Sequence, residues 1–156
     1  MKGLFLLKLD TPHGYFSVIY SSQGIYRICF PGVQCSGIPT AKEVPRPDFV
    51  QDFRDYLCGK KVDWHPYPLD MSGYTSFTAK ILSQVRQIPY GSKLTYRQVG
   101  ENAGMAGGWR AVGQAVKTNR HPLVVPCHRV VAKNGLGGFS GPAGWKEHLL
   151  QLEVSS

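Results

Sequence analysis

No apolar run in this sequence approaches the length of a membrane-spanning helix, so a membrane partner is not expected. The opening stretch MKGLFLLKLDTPHG is interrupted by Lys8 and Asp10 and carries no small-residue cleavage site. It reads as a first β-strand, not a signal peptide. That points to a cytoplasmic protein (nuclear in a eukaryote), whose thiols stay reduced. None of the four cysteines, Cys29, Cys35, Cys58 and Cys127, stands at the short Cys-x₂₋₄-Cys spacing of a zinc site. Cys29, Cys35 and Cys58 with His13 or His65 make only a weak ligand set, so no metal and no cofactor are expected. Internal repeats and low-complexity tracts are absent. Acidic residues are scarce, and after residue 69 only Asp70, Glu101, Glu147 and Glu153 occur.

A packed protein is nonetheless well within reach. The chain has 156 residues, 42% of them hydrophobic and only 18% charged, a balance that argues against disorder. The formal charge is +8, unevenly spread: residues 1–69 carry a net +2 and residues 70–156 a net +6. The basic surplus falls in the C-terminal part, where contacts with a polyanion are sought first.

The chain changes texture midway. Residues 1–30 show two turn signals, Thr11-Pro12-His13-Gly14 and Ser21-Ser22-Gln23-Gly24, between β-rich runs, which predicts a three-strand meander. Residues 47–58 place Phe49, Phe53, Tyr56 and Leu57 on one helical face. KKVDWHPYPLDMSGY then reads as an extended connector with a boundary near residues 65–74, giving domains 1–68 and 69–156. Beyond it, Thr75 or Ser76 caps a helix with Phe77, Ile81, Val85 and Ile88 on one face. Thr95 to Gln98 has capping-box spacing, and a second short helix runs from Trp109 to Asn119.

Two short helices joined by Met105-Ala106-Gly107-Gly108 outline a helix-turn-helix. Its second helix is rich in Ala111, Val112, Gly113, Ala115 and Val116, with Arg110 and Lys117 as its only cations. Few of these side chains read base edges, so a sequence-indifferent DNA helix is expected, against the alternative of a hairpin that only packs. Leu123-Val124-Val125-Pro126 reads as an apolar strand leading into Cys127. Asn134-Gly135 signals a hairpin, and a last helix, about 142–152, turns Trp145, Leu149 and Leu152 inward.

The chemistry converges on Cys127. A cysteine attacks as thiolate, so a reactive one needs a base or positive charge beside it. Cys127 is followed at once by His128 and Arg129. Adjacent residues of a regular strand face opposite ways, so His128 reaches the sulfur only if the chain bends at Pro126-Cys127 or a water carries the proton; a bend with a water is the favoured reading. A base also needs an orienting acid, and both Glu147 and Glu153 qualify. The competing reading is a buried structural thiol, common for free cysteine.

Pro126-Cys127-His128-Arg129-Val130, preceded by Asn119 and followed by Gly138-Phe139-Ser140-Gly141 and Lys146-Glu147, resembles the O6-alkylguanine-DNA alkyltransferases, also called methylated-DNA–protein-cysteine methyltransferases. The likeness is close over residues 74–153; the N-terminal part matches in size and in its strand-then-helix pattern. The resemblance implies an α+β fold. A small ribonuclease-H-like N-terminal antiparallel sheet would be joined to a helical, winged-helix-like C-terminal domain. It implies a single-turnover methyltransferase that repairs double-stranded DNA by direct reversal, monomeric and without cofactor. Cys127 would accept the alkyl group, His128 its proton, and Glu153 would orient the histidine; Asn119 would hold the turn. Tyr96, Arg110, Arg129, Val130, Phe139, Ser140 and Lys146 would contact substrate or DNA. Arg110 would fill the gap left by the flipped nucleotide and Tyr96 would meet the flipped base. The Ser140 backbone would donate to the guanine oxygen, and the Cys127 and Val130 carbonyls would accept from its amine. Phe139 stands where some members have tyrosine. Three other readings compete: a lesion binder, which lacks the cysteine; a sequence-specific transcription factor, disfavoured by the small-residue helix; and a cysteine hydrolase, disfavoured by the adjacency of Cys127 and His128.

Overall fold

A computed structural model describes residues 4–33, 35, 42–43, 46–139 and 141–154, the pair 42–43 as backbone. The chain divides into two units, Met1–Met71 and Ser72–Ser156. The expectation of an α+β fold is borne out.

In the first unit, β1 (Phe5–Thr11), β2 (Gly14–Ser21) and β3 (Gly24–Cys29) form the antiparallel meander, with the short β4 (Lys42–Glu43) parallel to β1. Alternation sorts the faces: Leu7, Leu9, Phe16, Val18 and Tyr20 turn inward. Helix α1 (Pro47–Leu57) lays Phe49, Phe53 and Tyr56 among the same core residues. Phe16 and Phe53 meet edge to face at 4.8 Å, a favoured aromatic geometry. The connector belongs to this unit as far as Asp70, because Ile25 N–H donates to the Pro68 carbonyl at 3.0 Å and Asp70 N–H to Ile25 at 2.8 Å. Cys29 and Cys35 form a disulfide. This corrects the expectation that every thiol stays reduced: the chain folds back after β3 and brings the two Cα atoms within 6.2 Å.

In the second unit, α2 (Ser76–Arg86) starts at Thr75, whose Oγ1 accepts the Thr78 N–H at 3.1 Å. Ile81, Leu82 and Val85 are buried, whereas Phe77, in the first turn, is 39% exposed. The strand β5 (Leu94–Thr95) leads into α3 (Tyr96–Asn102), where both arms of the capping box are present. Helix α4 (Trp109–Lys117) follows Gly108, whose φ of +79° suits glycine. The two helices interlock closely: a Cβ on Gly100 would fall 2.5 Å from Cζ3 of Trp109. Last come β6 (Val130–Val131), parallel to β5, and α5 (Trp145–Val154).

The expected apolar strand at residues 123–126 does not form. Residues 121–130 are buried throughout, but as turns followed by a 3₁₀ turn at Cys127–Arg129. Apolar, β-branched residues mark burial as readily as strand, and Pro126 has no N–H to give to a ladder.

Candidate active site

Pro126 sets the geometry around Cys127. Its φ of −78° and ψ of 68° are those of an inverse γ-turn, closed by Cys127 N–H donating to the Val125 carbonyl at 2.7 Å. Arg129 N–H then donates to the Pro126 carbonyl at 2.9 Å. The chain therefore bends at Pro126-Cys127, one of the two routes that adjacency left open. Cys127 is not disulfide-bonded and is 1% exposed. Asn119 clasps the bend, with Nδ2 donating to the Val125 carbonyl at 2.9 Å.

Behind the thiol lies a buried ionic cluster. His128 Nε2 is 2.6 Å from Glu153 Oε2. Arg129 grips the same carboxylate through Nε, 2.9 Å from Oε1, and through Nη2, 2.9 Å from Oε2. Gly91 N–H adds a bond to Oε1 at 2.9 Å, and Arg129 Nη1 donates to the Ile88 carbonyl at 2.7 Å. Burial alone would raise the Glu153 carboxyl. The hydrogen bonds and charges of His128 and Arg129 prevail and hold it at about 2. Burial lowers the pKa of His128 in spite of the opposing glutamate, so its neutral form is favoured. Glu153, not Glu147, lies against the histidine; Glu147 is exposed.

Helix α5 supplies this carboxylate and a buried cation on one stripe, since Lys146, Leu149 and Glu153 share its inward face. Lys146 Nζ donates to the carbonyls of Val130 at 2.7 Å and Gly138 at 2.9 Å. Burial lowers its pKa, and a negative Cys127 would oppose that shift.

Tyr96, the first residue of α3, faces the loop after β6. Its hydroxyl donates to the Gly138 carbonyl at 3.3 Å and accepts Gly138 N–H at 3.1 Å. Burial raises its pKa; the bond to Gly138 opposes this, and a charge on Cys127 adds to it. A Cβ on Gly137, whose φ is +75°, would stand 2.6 Å from that hydroxyl.

The structure thus gathers Cys127, His128, Glu153, Asn119, Tyr96, Val130 and Lys146 around one turn. Arg110 stands exposed in the first turn of α4, and Phe139 is half-buried. Ser140 lies outside the described residues. Arg129 and Lys146, expected to contact substrate or DNA, are 4% and 3% exposed and donate to acceptors inside the protein. Burying a cation is costly unless it is paired, and here each is held by acceptors that the sequence does not reveal. The sequence reading also missed Ile88 and Gly91 as partners of the cluster, having taken Pro89-Tyr90-Gly91 only as a helix stop. Among the described residues no cluster of three or more His, Cys, Asp or Glu has metal-binding geometry.

The comparisons with known proteins agree with one another. Residues 76–155 match the model of the 6-O-methylguanine DNA methyltransferase DNA-binding domain. A methylated-DNA–protein-cysteine methyltransferase of Saccharolobus islandicus is 32% identical over 143 residues, 92% of this chain and 91% of that protein. One from Methanothermobacter thermautotrophicus is 33% identical, over 87% of this chain and 77% of its own. Among solved structures, the Mycobacterium tuberculosis protein in complex with DNA superposes with a TM-score of 0.83 at 28% identity, covering 97% of this chain and 93% of that one. On the strength of the matched domain, the near full-length relatives and the shared fold, the chain belongs to the methylated-DNA–protein-cysteine methyltransferase family.

Proposed function

We propose that this protein repairs DNA by moving the alkyl group of an O6-alkylguanine onto Cys127, once per molecule. The observation that carries the reading is the buried His128–Glu153–Arg129 cluster that begins at the residue next to Cys127, a buried thiol outside any disulfide. With Nε2 engaged by the carboxylate, proton exchange falls to Nδ1 of a histidine kept neutral. Cys127 gives its proton to that imidazole, through a bridging water, and becomes a thiolate. The sulfur attacks the alkyl carbon, an S–C bond forms, and the carbon–oxygen bond breaks. Its electron pair stays with the guanine, which leaves more readily when a ring atom is protonated or hydrogen-bonded. Tyr96 is the donor for that atom, exchanging its Gly138 acceptor for the base. The thioether has no route back to thiol, so turnover stops at one.

The lesion sits inside the base stack and must be flipped out, at a cost of a few kcal/mol. Arg110, exposed at the head of α4, fills the gap. The small residues of α4 suit close approach to duplex of any sequence, with affinity coming from phosphate contacts. On this reading residues 72–156 bind DNA and perform the transfer. The protein works as a monomer in the cytoplasm (or nucleus), without a cofactor.

Incubation with a duplex containing O6-methylguanine, followed by intact mass and peptide mapping, tests the reading. One methyl group on Cys127 and none on Cys127→Ser is the expected result; an unmodified wild-type protein would overturn it. A parallel duplex with O4-methylthymine shows whether the pocket accepts a pyrimidine lesion.

A further inference from the structure

The turn that carries Cys127 is held from a second direction. Tyr74, in the connector just before α2, reaches residues 120–121 across the second unit. Its hydroxyl accepts Arg120 N–H at 2.8 Å and lies 3.0 Å from His121 Nδ1. The Tyr74–His121 pair is hydrogen-bonded in either tautomer of His121, with Tyr74 donating to a bare Nδ1 or accepting from Nδ1–H. The Arg120 guanidinium lies over the Tyr74 ring at 4.2 Å, and its Nη2 donates to the Ser72 carbonyl at 2.5 Å.

This anchor connects to the bend through backbone bonds and the Asn119 side chain. His121, which is fully buried, donates its N–H to Asn119 Oδ1 at 2.9 Å, and its carbonyl accepts Val125 N–H at 2.8 Å. The Val125 carbonyl in turn takes both Asn119 Nδ2 and Cys127 N–H. Between them Leu123 is held at a φ of +75°, a region that residues with a Cβ rarely occupy. Such a loop does not keep its shape by local preference and depends on what clasps it.

We propose that Tyr74 is a positioning residue for alkyl transfer. Its hydroxyl fixes the backbone at Arg120 and His121, and so sets where Val125, and with it Cys127, stands. It acts through Asn119 and touches no reacting atom. The inference rests on Cys127 being the alkyl acceptor.

The test is single-turnover transfer from a duplex carrying O6-methylguanine, with the saturating rate and the half-saturating concentration measured separately. Tyr74→Phe should lower the saturating rate about fivefold, as for one lost hydrogen bond, and leave half-saturation unchanged. In an Asn119→Ala background the same substitution should cost almost nothing further, because both act through one bend. His121→Leu, which removes the ring nitrogen facing Tyr74 and puts an apolar side chain in its place, should reproduce the loss and stands in if Tyr74→Phe folds poorly. An unchanged saturating rate, a change confined to half-saturation, or additivity with Asn119→Ala overturns the proposal while the function stands. If the wild-type protein transfers no alkyl group, the function reading fails and this inference falls with it.

Discussion

Glu153 shows how much one side chain organises. It accepts from His128, from two nitrogens of Arg129 and from the Gly91 amide, all away from water. Glu153→Gln would leave Arg129 as a buried, poorly compensated charge, a change that costs about 3 kcal/mol or more. A marked fall in Tm is expected, together with slower alkyl transfer, in thermal unfolding and single-turnover assays. The pH dependence follows from the same group. Its carboxyl is depressed from 4.5 to about 2 on folding, so its stabilising contribution is complete above 4.5 and is lost as pH falls towards 2. Acid unfolding followed by circular dichroism should show Glu153→Gln lacking that component. His128, its pKa lowered by burial, is protonated less than a free imidazole at the same pH. The fall in transfer rate on acidification is therefore expected to be centred below the free-imidazole value of about 6.5; a titration centred at or above it would contradict this assignment of the base.

Among the elements, the helix starts were legible because their signals are local. Thr75, and Thr95 with Gln98, need only the next three residues to act. The bend at Pro126-Cys127 was legible from the adjacency of Cys127 and His128, but the turns leading into it were not, since Leu123, Val124 and Val125 signal burial without saying in what conformation. The burial of Arg129 and Lys146 was hidden for a related reason: a cation's exposure depends on acceptors at Glu153, Val130 and Gly138, away from it in sequence. The disulfide was hidden as well, because the spacing from Cys29 to Cys35 does not fix the path of the loop between them. The fit of loop to helix yields a prediction. Gly137→Ala would force a Cβ against the Tyr96 hydroxyl at a φ that only glycine adopts freely. It should slow alkyl transfer at least tenfold while lowering stability by about 1–2 kcal/mol, read from transfer rate and Tm on one preparation.

For the molecule as a whole, charge decides more than shape. The surplus of +6 in residues 70–156 was visible from composition alone, as was the lack of base-reading side chains on α4. Affinity for undamaged duplex should fall linearly with salt on a log–log plot and differ little between sequences. Arg110→Ala should weaken binding to lesion-bearing duplex more than to intact duplex. Fluorescence anisotropy across a salt series measures both, and strong preference for one undamaged sequence would instead favour a transcription factor.

The carboxylate at the centre of the cluster also stands at an awkward place on its helix. Glu153 lies in the last turn of α5, the negative end of the helix dipole, with no basic residue of that turn to offset it. Left to itself this end would fray. Arg129 supplies the positive charge from across the fold and neutral His128 adds a hydrogen bond, so the Cys127 turn and the helix terminus stabilise each other. In amide hydrogen exchange, residues 127–130 and the final turn of α5 should then exchange at one common rate, and Arg129→Leu should release both together.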